Sequence, residues 1–429
     1  MDSQTRRISA ADCERLVPFE LLLDRLVQEG LSGWVADRRF LHAHPELSGR
    51  EFQTTAWIRS RLEQLGLSVQ TCAQQVGCFA DLQLGQPSES SPLIALRADI
   101  DALPLQDRKT ATYASTVPGV THACGHDVHT TIVLGVCELL TRLAARLPEN
   151  EVPGLRLRVI FQPAEETAEG AAWMVEAGAL EGTACILGLH VDPTLSQGRV
   201  GIRYGVLTAC VDEVSLVVSG RGGHAARPQH SSDPLLTAAH LVTTLYQMVP
   251  RHADALHPTV FTIGSIHGGA ASNVIPDEVR LDGTLRTTNA DVRTRVMESM
   301  QRICDGLAGA SGNSIALKFL CPLGSVVNHS LPASAFEIAA RQVVGTQNVV
   351  LIDKPSMGGE DFAVYVERVP GAQFRLGCAD GVSDWPLLHS PCFDIEEQAI
   401  GHGLRILARA TLLLALQPPL NDDRQSWIV

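Results

Sequence analysis

The 429-residue sequence contains no cluster of lysine and arginine, no paired cysteine spacing, no repeat of fixed period and no low-complexity tract. Its 34 basic residues are outnumbered by 47 acidic ones, giving a formal net charge of -13. A nucleic-acid-binding domain is expected to show a basic face, so that class is set aside. Within the first 20 residues every apolar stretch is broken by polar or acidic positions, and no signal peptide or membrane anchor is read there. The longest helix-like apolar run, near Leu404 to Leu416, is interrupted by Arg405 and Arg409 and is too short to span a bilayer. Eleven cysteines, an odd number, fit reduced thiols better than a secreted disulfide framework. The expectation is a cytoplasmic protein that binds neither membrane nor nucleic acid.

Hydrophobic residues make up 45% of the chain and charged residues 19%, an ordinary globular balance. Its length suggests two or three folding units. Helical periodicity covers residues 19–41 and 54–65, and Gly66 stops the second helix ahead of a strand at Ser68. The segment before Phe19 matches no pattern and reads as a tail. Apolar runs at 93–97, 155–161 and 184–190, with a helix over 128–146, predict an α/β layer whose mixed sheet is largely parallel. Between 207 and 322 the order changes to strand, helix, strand, strand, helix, strand, which predicts an inserted α+β domain of the ferredoxin-like split βαβ kind. The first domain is then discontinuous, residues 1–206 and 323–429.

Four places carry chemistry. His122-Ala-Cys124-Gly-His126-Asp127 lies in a loop at a helix N-terminus, where a thiol and an imidazole two positions apart can reach one metal cluster. Without partners, the same residues also suit a buried free cysteine beside a helix-capping Asp127. Glu165 and Glu166 follow an apolar strand; adjacent carboxylates diverge and repel, which favours one binding metal and the other moving protons. His190 ends the 184–190 run, the strand-end position at which open α/β sheets place ligands. His389 stands isolated in Leu388-His-Ser-Pro391. Asp99, just after a strand, is expected to orient a ligand histidine by hydrogen bonding. His129 reads as a local packing or capping residue, and His230, His252, His257 and His329 as solvated.

From about His42 to Arg409 the sequence resembles the M20 family of metallopeptidases and amidohydrolases, in particular the hippurate hydrolases, aminoacylases and plant auxin-conjugate hydrolases. The motifs that carry the resemblance occur in the family's order. They are His44-Pro-Glu-Leu47, Arg97-Ala-Asp-Ile-Asp-Ala-Leu-Pro104, His122-Ala-Cys-Gly-His-Asp127, Gln162-Pro-Ala-Glu-Glu166, Gly222-Gly-His-Ala225, Ser272-Asn-Val-Ile-Pro276, Gly283-Thr-Leu-Arg286, Met357-Gly-Gly-Glu-Asp-Phe362 and His389-Ser-Pro391. Thr121 and Gln106-Asp107 depart from the pattern without touching a candidate ligand.

The resemblance implies a zinc-peptidase-like catalytic domain holding two divalent ions, with zinc, manganese, cobalt, nickel and iron all compatible with the donors. Its ligands fall on Cys124, His126, Glu166, His190 and His389, with Cys124 bridging, and its general acid/base on Glu165. The insertion is implied to be a lid and dimerisation domain carrying catalytic His224 and substrate-binding Asn273 and Arg286, in a homodimer. The implied reaction is hydrolysis of a small N-acyl amino acid or related amide. A dipeptidase or aminopeptidase of the same family is the alternative, and a catalytically silent binding protein is a second.

Overall fold

The computed structural model describes Ile8, residues 10–381 and residues 384–415. The chain divides into two compact units: one runs to Gly205 and takes in Val327–Asp353 and the chain from Asp361 on, the other comprises Val206–Val326 and Lys354–Glu360.

The first unit is built on an eight-stranded mixed sheet. Its centre is four parallel neighbours, Leu155–Gln162, Leu93–Asp99, Thr183–Ser196 and Gly371–Ala379. All seven residues of Leu93–Asp99 are buried, as a parallel strand covered on both faces requires. On one side of this core Leu155–Gln162 pairs antiparallel with Cys78–Leu84, which pairs in turn with Val69–Thr71. On the other, Val200–Ile202 runs antiparallel to Gly371–Ala379 and parallel to Val349–Leu351.

Three helices, Ala10–Ala43, His126–Arg146 and Gln398–Ala415, pack on one another, and the last two also lie against strand Leu93–Asp99. Among the described residues His126–Arg146 is the one helix long and apolar enough to cross a bilayer; it is a core helix, buried from His126 through Leu140. The predicted tail is corrected. Residues 1–7 and 9 lie outside the described residues, but the first helix begins at Ala10, passes through Pro18 and buries Leu16. Leu16 belongs to the stripe Leu23, Val27, Trp34 and Leu41, so burial rather than propensity extends the helix past the proline.

The second unit contains a four-stranded antiparallel sheet in the order Thr259–Gly268, Glu278–Thr287, Cys210–Ser219, Ser314–Leu323. Helices Pro234–His252 and Ala290–Ser311 supply Leu241, Leu245, Val296 and Met300 to a core shared with Val214, Leu216, Val218 and Leu281 of the sheet. Every second residue of Cys210–Ser219 is buried, the pattern of a strand with one covered face. Asp233 and Asn289 cap the two helices through their side-chain oxygens.

Candidate metal centre

Three segments of the first unit converge at the carboxyl ends of its parallel strands. The loop before helix His126–Arg146 brings Cys124, and the helix's first residue is His126. Gly125 adopts φ 87°, and a Cβ there would meet Val191 Cγ2 at 2.4 Å, so this turn admits only glycine. Glu165 and Glu166 follow strand Leu155–Gln162 directly. His190, expected at a strand end, lies inside the longer strand Thr183–Ser196, two residues beyond the last match with Leu93–Asp99 at Arg97↔Gly188.

The backbone N–H of His389 donates to the Ala123 carbonyl at 2.8 Å, tying the distant segment to the cysteine loop. His389 itself adopts φ 62°, a strained region for a non-glycine residue.

Two of the groups that the donor atoms form have one member in common. Cys124, His126 and His190 form one, and Cys124, Glu166 and His389 the other; within each, all donor atoms lie within 4.8 Å of one another. Cys124 Sγ is 3.6 Å from His190 Nε2, and Glu166 Oε1 is 3.5 Å from His389 Nε2. Glu165 forms a further such group with His126 and Glu166, both carboxylates lying 3.9 Å from His126 Nε2.

Hydrogen bonds prepare the imidazoles as ligands. His190 Nδ1–H donates to the Val191 carbonyl at 2.7 Å, which leaves the Nε2 lone pair facing Cys124. His126 Nδ1–H is shared between the Asp101 carbonyl at 3.0 Å and the Asp101 carboxylate at 3.1 Å. His126 Nε2 and Glu166 Oε1 are buried with no hydrogen-bond partner among the described residues. Buried polar atoms are rarely left so, and two of them aimed into one thiolate-containing cluster fit a coordinated cation.

The electrostatics agree. Burial, with Glu166 and Glu165 adding to it, pushes the Cys124 thiol above its ordinary range, and burial also raises Glu166. Burial likewise disfavours charge on His126, but Asp99 and Cys124 outweigh it and hold the imidazole well above its usual value. His190 goes the other way: burial, His129 and Arg375 keep it neutral. A divalent cation would reverse the first three shifts by stabilising thiolate, carboxylate and neutral imidazole together.

The hydrogen-bonding partner expected of Asp99 is corrected. Asp99 Oδ1 bonds His129 Nδ1 at 2.7 Å, Oδ2 takes Arg97, and His126 Nε2 is 3.9 Å away. The carboxylate that holds His126 is Asp101, which also accepts from the Glu166 N–H at 3.0 Å and the Ser48 hydroxyl at 2.7 Å. One side chain thus positions a member of each donor set.

His129 is fully buried and accepts from the Val191 N–H at 2.9 Å, linking Asp99 to the backbone next to His190. Asp127 caps nothing; it accepts from Arg38 at 2.8 Å and pairs with His42 at 2.7 Å. Asp361, in the Met357-Gly-Gly-Glu-Asp-Phe362 motif, takes Arg97, Gln162 and the N–H of Ala171. His329, read as solvated, is half-buried against Gly371.

In the second unit His224 and Asn273 are brought together. The short strands Gly223–His224 and Val274–Ile275 pair, and the Ala225 N–H donates to the Asn273 carbonyl at 3.1 Å. His224 is exposed and its Nδ1 accepts from the Ala226 N–H at 3.1 Å, so the ring carries its proton on Nε2. Arg286, on strand Glu278–Thr287, donates to the Met357 carbonyl at 2.8 Å.

The peptidase family M20/M25/M40 model matches residues 95–412. The chain is 40% identical to an N-acetylcysteine deacetylase of Bacillus subtilis, over 85% of this chain and 92% of that one. It is 35% identical to an IAA-amino acid hydrolase of Arabidopsis thaliana, over 87% and 84%. Among solved structures it resembles the Bacillus subtilis YXEP protein, described as a dinuclear metal binding peptidase from the M20 family, with a TM-score of 0.77, 34% identity and coverage of 90% and 99%. The match spans most of the chain and includes the strands, loops and helix that assemble the two donor sets: the chain belongs to peptidase family M20/M25/M40.

Proposed function

We propose that this protein hydrolyses the amide bond of small N-acyl amino acids or related conjugates, using two divalent ions held by Cys124, His126 and His190 and by Cys124, Glu166 and His389. The observation that carries the reading is the pair of donor sets with Cys124 in common. Cys124, common to both sets, would offer either ion a soft thiolate, which with the imidazoles suits late first-row metals. Ions bound there supply Lewis acidity, polarising the scissile carbonyl and making water nucleophilic near neutral pH.

The chain's own residues do the rest. Glu165 is the general acid/base: its carboxylate accepts the proton of the attacking water and returns it to the departing nitrogen, so that the amine leaves neutral. Both carboxylates lie 3.9 Å from His126 Nε2, and the division is supported by Glu166, not Glu165, standing with Cys124 and His389 in a donor set. His224 is the donor to the oxyanion, supported by the proton its Nδ1 contact assigns to Nε2. Asn273 and Arg286 bind substrate. Asp101 and Asp99 orient the ligand loops through the contacts given above.

The inserted unit is proposed to act as a lid and to carry a homodimer interface. Support comes from strand Thr259–Gly268, an edge of its sheet, with Val260 and Ile266 exposed. Such an edge is a template for pairing with another strand. A cytoplasmic location is supported by all eleven cysteines being free.

The relatives acting on N-acetylcysteine and on IAA-amino acids favour an acyl amino acid over a free dipeptide. The deciding experiment is a panel of N-acetyl, N-benzoyl and indole-acetyl amino acids against free dipeptides, with metal-reconstituted protein. Turnover of the acylated compounds is expected. Turnover of free dipeptides alone would replace this reading with the dipeptidase one.

A further inference from the structure

Glu51 is fully buried yet belongs to neither donor set. It closes the segment that follows His44-Pro-Glu-Leu47, a shelf fastened beneath the site. The Glu46 carbonyl accepts from the Ala102 N–H at 2.8 Å, and Ser48 donates to Asp101 at 2.7 Å. Glu51 Oε1 accepts from two backbone donors, the N–H of Gly49 at 3.0 Å and that of Ala164 at 2.8 Å.

The second of these bonds reaches the residue before Glu165. Ala164 adopts φ 50°, a left-handed conformation that a residue with a Cβ rarely takes unless its surroundings impose it. The residue after Glu165 is also held, because the Glu166 N–H donates to Asp101. The backbone N–H groups of the residues before and after Glu165 therefore both end on buried carboxylates. The loop is tightly wound beyond this point: the Ala164 carbonyl accepts from the N–H of Glu169 and Gly170, and a Cβ on Gly170 would sit 1.5 Å from the Pro163 carbonyl oxygen.

We propose that Glu51 is a positioning residue for Glu165: its grip on the Ala164 N–H keeps that residue left-handed and so fixes the direction in which the Glu165 side chain leaves the backbone. The inference rests on the reading of Glu165 as the acid/base. Without the grip Ala164 relaxes toward negative φ, and the carboxylate swings off the water it must deprotonate. The five metal donors stay in place, since none is bonded to Glu51.

The test is a double-mutant cycle on the metal-loaded enzyme with N-acetyl amino acid as substrate. Glu51→Ala is expected to lower kcat by about tenfold to a hundredfold with KM little changed, the cost of misplacing a catalytic group by about an ångström. Two ions should still bind, with unaltered constants in a chelator-competition titration. Glu51→Gln, which keeps an acceptor oxygen at that position, should restore most of the turnover, whereas Glu51→Asp, too short to reach Ala164, should not. In a Glu165→Gln background Glu51→Ala should cost nothing further, since the group it positions is gone.

Should Glu51→Ala not fold, Glu51→Asp carries the same cycle. Additive losses in the double mutant, weakened metal binding in Glu51→Ala, or wild-type kcat in Glu51→Ala would each overturn the positioning role. Wild-type turnover by Glu165→Gln alone would instead overturn the acid/base reading and this inference with it.

Discussion

Asp101 is the residue whose replacement separates the two donor sets most cleanly. Its Oδ2 accepts two donors, the Ser48 hydroxyl and the Glu166 N–H, while its Oδ1 accepts only His126 Nδ1–H, which also has the Asp101 carbonyl at 3.0 Å. In Asp101→Asn the new NH2 group must face one side or the other. It should turn to His126, the donor with an alternative acceptor, and leave the Glu166 N–H bound. His126 then loses a charge-assisted hydrogen bond, of the kind that contributes about 1.5–3 kcal/mol. Switching tautomer does not help the ring, because that would protonate the Nε2 lone pair needed for the ion. The affinity for the ion held by Cys124, His126 and His190 should fall about tenfold to a hundredfold, the usual cost of losing such a partner. At about 1.4 kcal/mol per tenfold the two ranges agree. The ion held by Cys124, Glu166 and His389 should be nearly unaffected. Asp101→Ala removes both supports and should weaken both ions. A titration against a chromophoric chelator gives the two stepwise constants. Equal weakening of both ions by Asp101→Asn, or of neither by Asp101→Ala, would refute the account of how the site is held.

Cys124→Ser exchanges an ionisable thiol for a hydroxyl that stays protonated, so the variant should hold at most one ion tightly; two ions at wild-type affinity would remove the bridging assignment. His224→Ala should lower kcat with metal content unchanged. If His224 serves the partner's site, a verified heterodimer of inactive His224→Ala and inactive Glu165→Gln chains should regain activity through one intact site, and a dead heterodimer would confine the residue to its own subunit. Burial, helped by Asp101, raises Glu51 to about 7, well above the ordinary carboxylate range. A carboxyl whose folded value is raised favours folding in its protonated form, so its contribution is complete below about pH 4.5 and is lost as pH rises to about 7. Metal-free Glu51→Gln should therefore gain up to about 3 kcal/mol over the parent at pH 7 to 8 and almost nothing at pH 4. Denaturant melts at the two pH values check this, and an equal gain at both would contradict it.

The periodicity of the chain was informative about elements because burial dictates it: strand Glu278–Thr287 and the two helices of the second unit can be read from their apolar spacing. Helix Ala10–Ala43 is legible only from Phe19, since Pro18 masks a stripe that begins at Leu16. The short segment Lys354–Glu360 has no apolar pattern that would assign it to the second unit. For the site, the donor residues stand out by type, but their assembly from positions 124 to 389 came from the resemblance and not from spacing. What holds them was hidden. Asp99 and Asp101 are two residues apart and look equivalent, and only the strand's end at Asp99 decides which one faces His126. Glu51 acts on a backbone N–H 113 positions away, and backbone donors leave no trace in side-chain identity.

The most direct test of the central claim is the rate of N-acetyl amino acid hydrolysis as a divalent ion is returned stepwise to chelator-stripped protein. The account expects no hydrolysis without the ion and a rate that reaches its plateau at two equivalents per chain. Hydrolysis that survives complete stripping, or none at any loading across the acylated panel, would contradict it.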